Sequence, residues 1–284
     1  MSYGKIYEST YWGVGRDNSI GWGIVYKDLG ATNLLDQYSG AVAAYSVRKL
    51  SSSYDGFCLK VRNKTTQTTT DIGFDADGLI DTTALATAAN ESGDTKQLAI
   101  VEWYDQSGNG NNATQTADAD QPVIYKGTGL QEMNGKPVVV ESNTNSHLSI
   151  QGITSLTNNA WIFAATKAND NDMFMADLGT TPYVGFATDG EAGVSMNPTS
   201  GTYYKNGSTT SLSATTRNDI FDTYNEQSLF TFNATNFVIG DYLELGWVSS
   251  FSMWDLQEVI IYDSDQATNR SGIETNINGY YSIY

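Results

Sequence analysis

The sequence predicts an all-β protein, a two-sheet antiparallel sandwich with a short extended N-terminal arm and a C-terminal helix. Among its 284 residues are 18 Tyr and 27 Gly, and Thr, Ser and Asn are frequent. Tyr and Thr favour strands, whereas Gly and Asn favour turns. Short apolar runs such as QLAIVEWYD and AWIFAATK recur between turn signals, which is the spacing that an antiparallel sandwich needs.

Residues 1–36 are predicted to form an arm that precedes a domain at residues 37–284. Glycines interrupt the aromatic residues of this arm, so no helical period fits it. A segment of this size cannot bury its own aromatic surface, and we therefore expect it to attach to a partner protein or a neighbouring copy. The predicted attachment residues are Tyr11, Trp12, Trp22 and Tyr26. The alternative is an extra edge strand folded onto the sandwich.

The domain begins with three predicted strands and a short helix. AVAAYSVRKL is expected to point Tyr45 and Val47 inward and Ser46 and Arg48 outward. FCLKVRN and KTTQTTTDIGF follow as strands, and GLIDTTALATAANES reads as a helix with Asp81 at its N-cap. Later in the chain, KNGS predicts a type I′ hairpin.

The C-terminal segment predicts a closing helix. Its apolar positions recur at helical spacing, and Ser264 or Asp265 is the expected cap. The residues of the predicted buried face are Ile273, Ile277, Tyr280 and Tyr281.

The charge balance excludes several partners. The net charge is −17, which repels nucleic-acid phosphate and anionic membrane surfaces, so neither is an expected partner. No apolar run is long enough to span a membrane, and the N-terminus has no secretory signal, so synthesis in a cytoplasm is expected. The single cysteine, Cys58, allows no disulfide within the chain.

The stretch EWYDQSGNGNNATQ, which starts at Glu102, permits three interpretations: a structural corner, a calcium loop or a catalytic site. The residues with calcium-loop spacing are Asp105, Ser107 and Asn109. The twelfth loop position is Thr116 instead of Glu, which excludes an EF-hand and leaves a looser Ca²⁺ site open. The favoured interpretation is a corner in which Asp105 accepts backbone N–H groups while Gly108 and Gly110 adopt positive φ.

Catalytic and sugar-binding residues are harder to assign. Glycosidases need two carboxylates, but the odd spacing of Glu102 and Asp105 places them on opposite faces of a strand. His147, the only histidine, is expected on the polar face of a surface strand. No catalytic residue is therefore predicted. The aromatics proposed to stack on sugars are Tyr183, Tyr203, Tyr204, Tyr224 and Trp254.

Several segments together carry a family resemblance: AYSVRKLSSSYDG, TTTDIGFDADGLIDTTAL, VEWYDQSGNGNNATQ, QPVIY and NGKPVVV. They resemble a concanavalin A-like, laminin-G-like jelly roll, similar to the sandwich of fungal α-L-arabinofuranosidases and to lectin-like modules of phage and bacterial surface proteins. The front segment, GKIYESTYWGVG, looks like the N-terminal anchor of phage fibre, spike or capsid-appended proteins. The chain lacks the cysteines of the arabinofuranosidases and shows no motif that matches their catalytic carboxylates.

This resemblance implies a non-enzymatic structural protein of a phage virion. The arm would bind other virion proteins, the lectin-like domain would bind a host-surface glycan, and the protein would form a homo-oligomer on the particle. The alternative is a glycan-active hydrolase of arabinofuranosidase type. A third interpretation, a bacterial surface lectin, is disfavoured because no secretory signal is visible.

Overall fold

A computed structural model describes residues 8–14, 20–25, 33–90, 97–127, 129–143, 145–153, 155–156, 159–168, 175–177, 184–186, 201–210, 226–234, 237–238, 243–246 and 254–284. The chain divides into two compact units, Met1–Asn33 and Leu34–Tyr284. The second unit thus begins within the predicted arm of residues 1–36. In the described part of the chain, no helix has the length and apolar character needed to cross a membrane.

The first unit contains an antiparallel hairpin of β1 (Glu8–Val14) and β2 (Ile20–Val25). Tyr11 is the register partner of Trp22 in this hairpin, and the register shifts between Tyr11 and Val14. The extended pieces predicted for the arm are therefore present. Tyr26 lies outside the described residues, and attachment through Tyr11, Trp12 and Trp22 stays a prediction.

The described part of the second unit is mostly strand. Its helices are α1 (Leu34–Gln37), α2 (Thr82–Asn90) and α3 (Arg270–Tyr281). Its strands are β3 (Ala41–Ser46), β4 (Leu59–Asn63), β5 (Thr69–Ile72), β6 (Gln97–Trp103), β7 (Ala113–Thr114), β8 (Val123–Lys126), β9 (Gly129–Leu130), β10 (Glu132–Met133), β11 (Lys136–Pro137), β12 (Val139–Val140), β13 (Leu148–Ile150), β14 (Ser155–Leu156), β15 (Ala160–Ala168), β16 (Met175–Asp177), β17 (Val184–Phe186), β18 (Gly201–Lys205), β19 (Ser208–Thr210), β20 (Ser228–Ala234), β21 (Phe237–Val238), β22 (Leu243–Leu245) and β23 (Trp254–Tyr262).

These strands form two antiparallel layers, which confirms the predicted sandwich. The front sheet has the order β5-β4-β6-β7-β13-β22-β16-β17. The back sheet has the order β3-β23-β15-β20-β18-β19. β8 and β12 connect the two layers, because β8 pairs with β6, and β12 pairs with both β8 and β23. One hydrophobic core, to which strands of both sheets contribute, holds the layers together.

The prediction that Ser46 and Arg48 point to solvent is wrong, because both are buried. Ser46 Oγ donates a 2.7 Å hydrogen bond to Glu258 of β23, and the Arg48 guanidinium donates two to the same carboxylate, at 2.9 and 3.0 Å. Tyr281 of α3 reaches Ser46 Oγ at 3.2 Å, and Tyr280 stacks on Arg48. The C-terminal helix therefore covers the face of β3 that alternation alone assigns to solvent.

Two of the three local predictions of turns and helix caps are confirmed, and the third is wrong. Asp81 caps α2 by accepting the backbone N–H of Ala84 at 2.9 Å, as predicted. Asn206 and Gly207 have φ of 52° and 76°, which confirms the primed hairpin turn. The cap predicted for the last helix is wrong: α3 begins at Arg270, and Asp265 instead accepts hydrogen bonds from Trp161 and Ala267.

Candidate functional site

The Asp105 loop is a structural corner, as the favoured interpretation predicted. Oδ1 of Asp105 accepts the backbone N–H groups of Ala44 (2.9 Å) and Ser107 (2.8 Å). Oδ2 accepts Ser107 Oγ–H (2.7 Å) and the N–H of Asn111 (3.0 Å). Gly108 and Gly110 have φ of 89° and 75°, which glycine adopts without strain. The loop thus connects the end of β6 in the front sheet to β3 in the back sheet.

The same hydrogen bonds bear on the calcium interpretation. Four protein donors already occupy the two carboxylate oxygens of Asp105. In the ranges that the structure describes, no group of three acidic, histidine or cysteine side chains is arranged to hold a metal ion. A Ca²⁺ site at Asp105, Ser107 and Asn109 stays a prediction, and its test is given in the Discussion.

A line of polar side chains crosses the outer face of the front sheet, and we call it the polar row. Directly paired residues of antiparallel strands project on the same face, and successive pairings join one residue from each of six strands. Their neighbours along the strands, such as Leu59, Trp103 and Leu243, are buried in the core. The members of the polar row are Asp71, Lys60, Glu102, Thr114, Ser149 and Glu244.

Glu244, in β22, is the buried member of the polar row, with only 1% of its surface exposed. Its Oε1 accepts a hydrogen bond from Ser149 Oγ at 3.3 Å, and His147 Nε2 lies 3.6 Å from the same oxygen. Its Oε2 has no hydrogen-bond partner among the described residues. Burial raises the pKa of Glu244 to about 8, against the lowering effect of the Ser149 hydrogen bond. The carboxyl therefore holds a proton at neutral pH, as a general acid must.

His147 is fixed beside Glu244 in one tautomer. Its Nδ1 lies 2.7 Å from the carbonyl oxygen of Asn145, which only accepts, so Nδ1 carries the hydrogen. Gln115 Oε1 accepts the N–H of Ala117, which turns the Gln115 amide nitrogen toward His147 Nε2 at 2.6 Å. His147 Nε2 is therefore an acceptor. His147 lies on the polar side of the front sheet, as predicted, but it precedes β13 instead of lying in a strand, and no pattern in the sequence indicates its contact with Glu244.

Within the polar row, Glu102 is the carboxylate closest in order to Glu244. Lys60 Nζ lies 3.3 Å from its Oε2, and Asn112 Nδ2 donates to its Oε1 at 2.6 Å. Glu102 and Asp105 do point in different directions, as predicted, since Asp105 bonds to β3. Three strand spacings of about 4.8 Å place Glu102 about 14 Å from Glu244 between backbones. Lys60, on the side of Glu102 away from β7, holds its carboxylate, so we do not assign these two glutamates as a catalytic pair, whose carboxyl groups lie about 5–9.5 Å apart.

Of the five aromatics proposed for sugar stacking, three lie in strands of the back sheet and not on the polar row. Tyr203 and Trp254 are 3% and 1% exposed, so these two proposals are wrong: their rings lie in the core and offer no free face. Tyr204 is partly buried, stacked on Trp161 and covered by the Arg270 guanidinium at 4.0 Å. Tyr183 and Tyr224 lie outside the described residues.

Comparison with known proteins identifies the family to which this sandwich belongs. The family model for the catalytic domain of α-L-arabinofuranosidase B matches residues 36–214. The chain therefore belongs to the α-L-arabinofuranosidase B catalytic-domain family. No curated protein sequence matches the chain.

Solved structures agree with this fold. One is a GH54 α-L-arabinofuranosidase soaked with a cyclic sulfate inhibitor, at 17% identity and a TM-score of 0.55, with 88% of this chain and 65% of that chain covered. Another is an arabinofuranosidase complexed with arabinofuranosyl-α-1,2-xylobiose, at 18% identity and a TM-score of 0.52, with 88% and 64% covered. The chain thus spans about 65% of the length of these proteins.

The prediction of a non-enzymatic phage virion protein is wrong. The family match is to a catalytic domain of arabinofuranosidases, and the solved neighbours are arabinofuranosidases. The match begins at residue 36, and none of the comparisons supports a phage fibre anchor in the preceding residues. The jelly-roll part of the resemblance was correct, and its hydrolase alternative is the one that the comparisons favour.

Proposed function

We propose that the protein is a glycoside hydrolase that releases α-L-arabinofuranosyl groups, with Glu244 as its general acid. The observation that carries this proposal is a buried carboxyl on the outer face of the front sheet, with Oε2 unpartnered among the described residues. Membership of an arabinofuranosidase catalytic family supports the reaction class. Ser149, the next member of the polar row, is partly exposed, so solvent reaches the row within one strand spacing of Glu244.

In this mechanism Glu244 donates its proton to the glycosidic oxygen as the bond to the anomeric carbon breaks. In the same step, a second carboxylate either attacks that carbon or removes a proton from the attacking water, at about 5–5.5 Å or 6.5–9.5 Å from the acid. Glu102, which is paired with Lys60, is not assigned to either role. The sequence offers six further acidic residues around β16, β17 and β22, which an amide-substitution series should survey: Asp170, Asp172, Asp177, Asp189, Glu191 and Asp241.

The proposal is tested with two arabinofuranosides that differ in leaving group. Nitrophenolate leaves with little protonation, whereas an alkoxide requires a proton from the acid. We expect Glu244→Gln to lower kcat about 10²-fold or more on methyl α-L-arabinofuranoside, and much less on the 4-nitrophenyl substrate. Glu102→Gln is the matched control, since it removes a carboxylate from the same row and should leave both rates within a few-fold.

Two outcomes contradict the proposal in different ways. If the wild-type protein hydrolyses neither substrate, it is not an arabinofuranosidase. If Glu244→Gln lowers both rates equally, Glu244 is not the proton donor, and the six-residue series then identifies the group that is.

A further inference from the structure

Phe57 is an exposed aromatic side chain at one end of the front sheet. Among the large hydrophobic side chains of the described residues, two are exposed: Phe57 at 48% and Tyr284 at 53%. Phe57 precedes β4, and the mechanism above does not use it. Its exposure is unusual because its neighbours along the chain, Cys58 and Leu59, are completely buried.

The Phe57 ring rests on a second ring that is held in place. The centroids of Phe57 and Tyr104 are 6.1 Å apart, with the planes inclined at 46°. The Tyr104 hydroxyl donates to Asp71 Oδ1 at 2.8 Å, and Lys60 Nζ lies 5.7 Å from the centre of the Tyr104 ring. Asp71 and Lys60 are both members of the polar row. The Asp71 hydrogen bond and the Lys60 contact therefore hold the Tyr104 ring in place beside Phe57, and 48% of the Phe57 surface is exposed to solvent.

The ring pair and Glu244 share one surface. Tyr104 directly follows β6, and its hydroxyl bonds to Asp71 of the polar row, so its ring lies on the outer face of the front sheet with Glu102. Glu102 lies about 14 Å from Glu244 along the polar row. A ligand that reaches both places must be longer than one sugar ring.

The local charge indicates a neutral ligand. Lys60 pairs with Asp71 at 3.8 Å and with Glu102 at 3.3 Å, and Lys64 pairs with Asp118 at 2.8 Å. Among the described residues of this region, these pairings leave no excess of positive charge to hold a polyanion, and the whole chain carries −17. An exposed ring beside paired charges suits a sugar, whose C–H face stacks on the ring while its hydroxyls bond to the charged groups.

From this arrangement we infer that Phe57, supported by Tyr104, binds the main chain of a neutral polysaccharide whose arabinofuranosyl branch reaches Glu244. This inference rests on the proposed function. It assigns Phe57 to polymer binding and to no chemical step. Phe57 should therefore affect a polymeric substrate and leave a small arabinoside unaffected.

The experiment compares a xylan bearing arabinofuranosyl branches with 4-nitrophenyl α-L-arabinofuranoside. We expect Phe57→Ala to lower kcat/KM on the polymer about tenfold, the loss of one stacked aromatic contact, and to leave the small substrate within twofold. Phe57→Tyr should restore polymer hydrolysis because it keeps the ring. Tyr284→Ala is the matched control, since it removes the other exposed aromatic of the described residues and should change neither rate.

Affinity gel electrophoresis in the same xylan gives a readout that does not depend on hydrolysis. The wild-type protein should be retarded, Phe57→Ala should migrate faster than wild type, and acidic polygalacturonate should retard neither. If wild type is retarded but inactive, the proposed function fails while the binding platform stands. If Phe57→Ala is retarded as strongly as wild type, or loses activity equally on both substrates, the platform is refuted.

Discussion

The buried carboxyl of Glu244 makes a quantitative prediction about stability and pH. Burial raises its pKa from 4.5 to about 8, so between these values the folded protein keeps a proton that the unfolded chain releases. The folded state binds more protons in this window, and the free energy of unfolding therefore falls as pH rises through it. The contribution is complete below pH 4.5 and lost above about pH 8. At about 1.4 kcal/mol per pKa unit, the loss amounts to about 4–5 kcal/mol.

Glu244→Gln removes this titration while keeping the shape of the side chain. Urea unfolding of both proteins at pH 5 to 9 should show the wild type losing stability relative to the variant, by up to about 1.4 kcal/mol per pH unit. His147 lies 3.6 Å from Oε1, so the comparison is repeated with His147→Gln in both proteins. A stability difference that stays constant across this pH range would refute the argument that Glu244 is buried in its protonated form.

Three further predictions concern the structural elements. Gly110→Val should destabilise the protein by about 1–3 kcal/mol in urea unfolding, since φ is 75° and no neighbouring atom crowds the position; a change under 0.5 kcal/mol would contradict it. Arg48→Met should lower the free energy of unfolding by about 3–5 kcal/mol, because it leaves the buried Glu258 carboxylate without its ion-pair partner. The double variant Arg48→Met/Glu258→Leu should recover most of that stability. Asp105→Asn should lower the free energy of unfolding by about 1–3 kcal/mol, because an amide N–H₂ replaces an oxygen that accepts hydrogen bonds from donors only. If a chelator lowers the wild-type Tm and Ca²⁺ restores it, the calcium interpretation is favoured.

Sequence reasoning succeeded where a few neighbouring residues determine the geometry. The Asp81 cap needs only the N–H of Ala84, and the hairpin turn needs only positive φ at Asn206 and Gly207. Alternation in β3 correctly assigned which residues share a face. It could not show that a helix from the far end of the chain covers the second face and buries Arg48, because alternation carries no information about long-range packing.

The candidate acid was missed for a related reason. Leu243, Glu244 and Leu245 alternate as a strand should, which places the glutamate opposite the core. Its hydrogen bond comes from Ser149, 95 residues earlier in the chain, which strand pairing across the sheet brings beside it. With 32 acidic residues in the sequence, no local signal distinguishes this one from a solvated strand residue.

The Asp105 loop, whose sequence carries the family resemblance, and Glu244, the residue proposed for the chemistry, lie in different parts of the molecule. The side chains of Asp105, Asn109 and Asn111 bond to the backbone of β3, with Asn109 Nδ2 donating to the Ala41 carbonyl at 2.9 Å and Asn111 Nδ2 to that of Val42 at 2.8 Å. Every one of these bonds ties one sheet to the other, so the motif specifies a sandwich whatever the outer face carries. The family match ends at residue 214, before Glu244. The chemistry that we propose therefore depends on the outer face of the front sheet, and the leaving-group comparison at Glu244 tests it independently of family membership.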